Sequence, residues 1–255
     1  VAIHPAAAGG FSSAAATYAR IRPAYARPAV GTIKERCRGD LVADVGAGTG
    51  ILTGQLVRAG LDVVAVEPLA AMVHQLRLAL PAVPVALGVA ESLPLAARSV
   101  GSVVAGQAFH WFEPDAALAE FARVVRPGGT LALVWNVRDP SVPWVRALDD
   151  LVATRAGGRP YEDHRERPWA DVVAADGRFV ESADPQRFPN PVPASVEAVI
   201  DRLRSTSFVA ALDDGPRSEL LDEARELLRS DPATATGPFE YPHETVLHLW
   251  RRVEA

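Results

Sequence analysis

The 255-residue sequence predicts an α/β fold, a doubly wound, mostly parallel seven-stranded sheet whose last strand is antiparallel, with a helical cap added. Three observations carry that expectation. Up to residue 137, apolar runs of strand length alternate with segments of helical period, the rhythm of a parallel sheet covered by helices on both faces. Those runs are nearly continuous in Val, Leu and Ala, which is how strands buried on both faces read. Beyond 137 the rhythm breaks into Pro-rich stretches between amphipathic helices, and the chain closes on segments with β-favouring residues at intervals.

Strands are expected over 41–45, 62–66, 83–87, 102–106 and 130–135. Helices of suitable length fill the gaps at 49–59, 70–80 and 114–125, and Pro114 suits a first turn that needs no amide donor. Arg126-Pro127-Gly128-Gly129 then stops the last of these helices and turns the chain into the fifth strand. In the second half, helices are expected near 144–155, 195–205 and 216–229, and a finishing hairpin from 178–188 and 239–250. No long polar linker interrupts the chain, so one domain is expected over 1–255.

Composition narrows the function classes. A hydrophobic content of 49% excludes a disordered chain, and a net charge of -5 offers no global attraction to phosphate backbones. The single cysteine, Cys37, excludes an internal disulfide and a cysteine-rich zinc site and fits a reducing compartment. No run approaches the roughly 18 apolar residues of a membrane span, and the first residues lack a basic flank leading into an apolar core. The expectation is a cytoplasmic monomer or homodimer that engages neither membrane nor nucleic acid and needs no metal.

The most informative stretch is Val42-Ala43-Asp44-Val45-Gly46-Ala47-Gly48-Thr49-Gly50, at the end of the first strand. Glycines there let backbone approach a ligand, and the carboxyl end of a strand is where ligands settle in an open α/β sheet. The dinucleotide fingerprint would need glycine at position 51, which is Ile51, so a pyrophosphate cradle is disfavoured and with it an NAD(P)-dependent oxidoreductase. Asp44 would repel a pyrophosphate and attract an amino-bearing ligand. Glu67, at the end of the second strand, stands where a carboxylate can hold two ribose hydroxyls. A nucleoside with a cationic amino-acid tail and no phosphates satisfies all of this, and S-adenosylmethionine fits that description.

At these residues the sequence resembles the seven-stranded class I methyltransferases, over most of its length. Asp44 to Gly50 resembles the family's first motif, and Val64-Ala65-Val66-Glu67-Pro68 with Met72 the second strand and its ribose carboxylate. Gly88-Val89-Ala90-Glu91-Ser92-Leu93-Pro94 resembles the adenine loop, and Arg123-Val124-Val125-Arg126-Pro127-Gly128-Gly129 the entry to the fifth strand. Within the class, Tyr18-Ala19-Arg20-Ile21-Arg22-Pro23-Ala24-Tyr25 and Ala108-Phe109-His110-Trp111-Phe112 resemble a bacterial branch that includes trans-aconitate-type small-molecule methyltransferases. One position departs: where many relatives carry Asp in the adenine loop, this chain has Val89, which leaves the Ala90 amide, Glu91 or an apolar clamp to recognise the base.

The resemblance implies transfer of a methyl group from S-adenosylmethionine to O, N or C of a small acceptor; a cofactor-binding protein without transferase activity is the alternative. It implies an N-terminal helical cap segment over 1–37, a cofactor-binding half over 38–137, and acceptor-cap helices with the final hairpin over 138–255. Gly46, Ala47, Gly48 and Gly50 let backbone approach the methionine moiety, Asp44 supports that loop or the ammonium, and Glu67 takes the ribose, with Pro68, Met72, Ala90, Glu91 and Gln107 as further cofactor contacts. Tyr18 and Arg22, four apart, share a helical face over the cofactor carboxylate, although Arg22 reads equally as a solvated arginine and Tyr18 as a lid residue. His110 is the candidate general base, or lines the site beside Trp111. Asn136, Arg138 and Tyr161 are expected at the acceptor, with His164, Trp169 and His243 as lesser candidates from the cap.

Overall fold

The computed structural model describes residues 22–37, 41–155 and 169–254, with the backbone alone at 207 and 208. The five expected strands are present as β1 (Val42–Val45), β2 (Val63–Glu67), β3 (Val85–Leu87), β4 (Val100–Gly106) and β5 (Val125–Arg138). Two of the interleaved helices end within a residue of expectation, α3 (Ala70–Ala79) and α4 (Pro114–Val124). Pro114 sits in the first turn of α4, where the Glu113 side chain also accepts a hydrogen bond from the Ala116 amide at 3.0 Å. Helix α2 (Ile51–Arg58) begins two residues later than expected, because Gly48 and Gly50 hold φ values of 57° and 85° that a helix cannot contain. Helix α1 (Arg27–Arg36) precedes the sheet, with proline in its first turn.

Strands β6 (Phe179–Pro189) and β9 (His243–Arg252) complete a sheet of order β3-β2-β1-β4-β5-β9-β6, parallel from β3 to β5. The last strand, β9, lies antiparallel between β5 and β6. The expected hairpin therefore pairs as foreseen but is not a hairpin, since helices and a second small sheet stand between its strands. The segment expected as one strand over 239–250 divides at Pro242, whose missing N–H breaks the ladder. Its first part, β8 (Phe239–Tyr241), pairs with β7 (Val192–Ala194) in that second sheet. The expected turn at 126–129 is a bulge inside β5. The register there jumps from Val125 opposite Val100 to Thr130 opposite Ser102, and a Cβ on Gly129 would fall 2.3 Å from the Gly101 carbonyl.

Past β5 the helices are α5 (Pro143–Arg155), α6 (Trp169–Asp176), α7 (Val196–Arg204), α8 (Ser207–Ala210) and α9 (Asp214–Ser230); α6 packs on the sheet with Trp169 and Val173 in the sheet's apolar cluster, and the others form the cap. Helix α6 was not expected; its mainly apolar eight residues lack a polar face to reveal a helical period. Three apolar clusters result. One, with Phe109, Phe121, Trp135 and Trp250, fills one face of the sheet, and a second, with Ile33, Leu56 and Leu247, fills the other. The third belongs to the cap, where Trp144 and Leu148 of α5 meet Ile200 of α7 and Leu220 and Leu228 of α9. Among the described residues no helix is long and apolar enough to cross a membrane.

Candidate functional site

A cleft opens at the carboxyl ends of the parallel strands, where β1, β2, β3 and β4 each deliver one lining segment. From β1 come Asp44, Gly46, Ala47, Gly48 and Thr49; from β2, Glu67, Pro68 and Leu69, with Met72 one turn on. The β3 loop supplies Gly88, Val89, Ala90 and Glu91. From β4 come Gly106, Gln107 and Ala108, followed by Trp111 and Phe112 around a short 3-10 helix (Phe109–Trp111). Tyr25, Ile51 and Leu52 complete the wall.

The glycine loop is shaped by its backbone. The Gly46 and Ala47 amides both donate to the Val66 carbonyl, at 2.9 and 3.2 Å, folding the loop across β2. Gly46, with φ of 71°, has no room for a side chain: a Cβ would lie 2.6 Å from that of Ala108. Gly48 is the opposite case, since a Cβ there would enter open space. Gly50 packs away from the cleft, its Cα against Leu76.

Two carboxylates stand behind this loop. Glu67 accepts from the Gly48 amide on one oxygen and from the Leu69 amide on the other, both at 2.9 Å, so it fixes the loop to its own strand. Each oxygen keeps a further lone pair for a ligand hydroxyl. Burial raises its pKa, against the pull of those two amides. Asp44 is 1% exposed. Its Oδ2 accepts from the Thr53 hydroxyl at 2.5 Å, and its Oδ1 is buried without a hydrogen-bond partner, as is Thr49 Oγ1. Burial first, and the nearby Glu67 charge second among the raising causes, push Asp44 up to about 7 against the Thr53 hydrogen bond. A buried carboxylate oxygen with no donor is costly, and a cationic donor in the cleft relieves that cost.

The β3 loop is stapled from behind by α4. Glu120 accepts from the Leu93 amide at 2.8 Å, and Arg123 donates to the Leu93 and Leu95 carbonyls at 3.0 and 2.8 Å while pairing with Glu120. Glu91 accepts from the Glu113 amide at 2.8 Å, which ties the loop to the entry of the same helix. On the far wall, Gln107 holds a φ of 54°, a left-handed conformation uncommon outside glycine, and its side chain donates to the Asn136 carbonyl at 2.9 Å.

Comparison with known proteins decides what such a cleft belongs to. Residues 43–133 match the methyltransferase domain family. An uncharacterized methyltransferase of Mycobacterium tuberculosis is 38% identical over 242 residues, covering 92% of this chain and 93% of the relative. The chain belongs to the class I S-adenosylmethionine-dependent methyltransferases. An uncharacterized methyltransferase-like protein of Schizosaccharomyces pombe is 28% identical, with 87% of each chain covered. Among solved structures, one from Anaeromyxobacter dehalogenans assigned as a type II methyltransferase superposes with a TM-score of 0.64 at 29% identity, covering 91% of this chain and 97% of its own.

In this methyltransferase the cleft brings together most of the residues expected at the cofactor: Asp44, Gly46, Ala47, Gly48, Glu67, Pro68, Met72, Ala90, Glu91 and Gln107. Gly50 only shapes the loop. Arg22 is half-buried and does not line the cleft. Tyr18, Tyr161 and His164 lie outside the described residues. Of the acceptor candidates Trp111 lines the cleft, whereas His110 lies beside it, its ring stacked on Trp135 at 5.5 Å and 4.7 Å from that of Trp111. Asn136 is buried and engaged with backbone, Arg138 pairs with Asp149 at 2.7 Å, and neither lines the cleft. Trp169 stacks on Trp135, and His243 is buried with its Nδ1 2.9 Å from the Tyr241 carbonyl. Among the described residues no cluster of His, Cys, Asp or Glu is arranged to hold a metal.

Sequence reasoning did not assign Tyr25, Thr49 or Phe112 to the cleft. Thr49 lay inside the glycine motif, so its hydroxyl could have been counted. Tyr25 closes the Tyr18 to Tyr25 motif, from which only Tyr18 and Arg22 were singled out, so the motif itself was the signal for it.

Proposed function

We propose that this protein transfers a methyl group to a small-molecule acceptor in the cytoplasm, as a monomer or homodimer, with S-adenosylmethionine held in the cleft. The observation that carries the reading is Asp44 Oδ1, a buried carboxylate oxygen without a donor at the wall of a phosphate-unfriendly glycine loop. Asp44 would take the ammonium group, Glu67 the ribose hydroxyls, Gly46 to Gly48 the methionine chain, and Met72 with Val89 and Ala90 the adenine. When bound, the sulfonium supplies an activated methyl and its own leaving group. What remains for the chain is alignment and removal of the acceptor proton. His110, adjacent to the cleft-lining Trp111, is the proposed proton acceptor. The acidic balance of the chain supports a small molecule over nucleic acid.

The test is a screen of small-molecule pools incubated with enzyme and S-adenosylmethionine, read by mass spectrometry. A product heavier by one CH2, a methyl in place of the acceptor proton, formed with stoichiometric S-adenosylhomocysteine, is expected. Methylation confined to protein or nucleic acid added to the same reactions would contradict the small-molecule assignment.

A further inference from the structure

Residues 23–26 cross the carboxyl edge of the sheet without regular secondary structure, and their backbone is bound by side chains from four other parts of the chain. Gln55 of α2 makes a reciprocal pair with Tyr25, accepting from its amide at 2.9 Å and donating to its carbonyl at 2.7 Å. Asn136 of β5 donates to the Pro23 and Ala24 carbonyls at 3.2 and 3.1 Å. Thr245 of β9 accepts from the Ala26 amide at 2.9 Å. Asn190, at the entrance to the cap after β6, donates to the Ala24 carbonyl at 2.9 Å and to Asn136 Oδ1 at 3.1 Å. The Asn136 side chain, 6% exposed, is thereby used on both ends, because its Oδ1 also accepts from the Thr245 hydroxyl at 2.6 Å. A polar network satisfied at this many points rigidifies the segment it holds.

What this strap positions is Tyr25. Its ring walls the cleft and rests on Gly106 so closely that a Cβ there would come within 2.5 Å of the phenol oxygen. The same Asn136 reaches the cleft by a second route, since its carbonyl accepts from Gln107, the strained wall residue. Asn190 stands between this hub and β7, the strand that leads into the cap helices.

We infer that Asn136 is a positioning residue that sets cofactor affinity by holding Tyr25 against the cleft, and that Asn190 joins this hub to the acceptor cap. Tyr25 is then a cofactor-site residue in its own right. The inference rests on the reading of the cleft as the S-adenosylmethionine site.

Titration calorimetry with S-adenosylhomocysteine tests it on the full chain. Asn136→Ala removes both strap bonds and should weaken binding about tenfold, the free energy of one or two such bonds. Tyr25→Ala should weaken it by a similar factor, and the double variant should be little worse than either single one, because both remove the same wall. A merely structural Asn136 gives additive losses instead, and unchanged affinity in a folded Asn136→Ala protein likewise overturns the inference. Should Asn136→Ala fail to fold, Asn190→Ala, at a half-buried position, takes its place in the same cycle with Tyr25→Ala and must show the same non-additivity. Absence of binding by the unaltered chain would instead strike at the reading of the cleft, a result distinct from the others.

Discussion

Asp44 shows how one residue carries both a cost and a use. With its carboxyl raised to about 7 by burial, the folded apo-protein retains a proton that the unfolded chain, with an ordinary value of 3.8, gives up. The raised value makes the Asp44 contribution to stability greatest at low pH and lost as pH rises towards 7. Asp44→Asn should therefore raise the melting temperature above pH 7, because the amide keeps the Thr53 bond without a buried charge, while weakening S-adenosylhomocysteine binding about tenfold or more. Glu67→Ala is expected to weaken the same ligand about ten- to a hundredfold, from lost ribose bonds and a loosened Gly48 amide, and equal affinity in a titration would show that the ribose is held elsewhere. For His110, replacement by Ala should lower turnover by about 10² to 10⁴ with ligand affinity nearly unchanged, measured once an acceptor is in hand. The place of the two carboxylates in the cleft was legible in the sequence because each stands at the carboxyl end of a strand. Asn136 was expected at the acceptor on the same ground, but its position after β5 says only which edge of the sheet it occupies, not that its amide turns to backbone 112 residues away.

At the scale of the element, the glycine loop separates folding from binding. Gly46→Ala drives a methyl group into the Ala108 side chain and should lower the melting temperature strongly. Gly48→Ala meets no protein atom, so its cost to the fold is the strain of a positive φ, about 1–2 kcal/mol. Its main effect should be loss of ligand affinity, and thermal melts beside titrations of both variants check the contrast. Strands β1 and β2 were legible to within a residue, since strands covered on both faces need continuous apolar runs, whereas β5 begins at Val125 because the segment 126–129 stays inside the strand as a bulge. The pairing of β6 with β9 was foreseen, but the break at Pro242 and the helices and second sheet that come between those strands were not, because an apolar pattern does not say what fills the rest of the chain.

For the molecule as a whole, the division of labour follows its cores. The sheet faces and the cap fill separate apolar clusters, and Arg138, Asp149, Tyr241 and His243 mark the border between sheet and cap. Burial, aided by the Arg202 and Arg138 guanidinium groups, pushes His243 down to about 3 against its hydrogen bond to Tyr241. The unfolded chain binds this proton near 6.5 and the folded one does not, so the stability His243 contributes above 6.5 is lost as pH falls towards 3. Melting curves should show His243→Gln losing less stability than the unaltered chain between pH 6.5 and pH 4. Asp44 acts in the opposite sense over much of that range, so acid sensitivity should be steeper still in Asp44→Asn. The cap was visible in the sequence only as a loss of rhythm, and its acceptor chemistry stays unread there because amphipathic helices declare which face is buried, not what the remaining faces enclose.

If the cleft over β1 and β2 binds the S-adenosyl donor through an ionised Asp44, binding must depend on the Asp44 proton, and titration with S-adenosylhomocysteine from pH 5.5 to 8.5 measures that dependence. One site per chain is expected, with affinity level above pH 7 and falling about tenfold per unit below it, a slope that Asp44→Asn abolishes. No binding at millimolar ligand, or a slope that survives in Asp44→Asn, would contradict it.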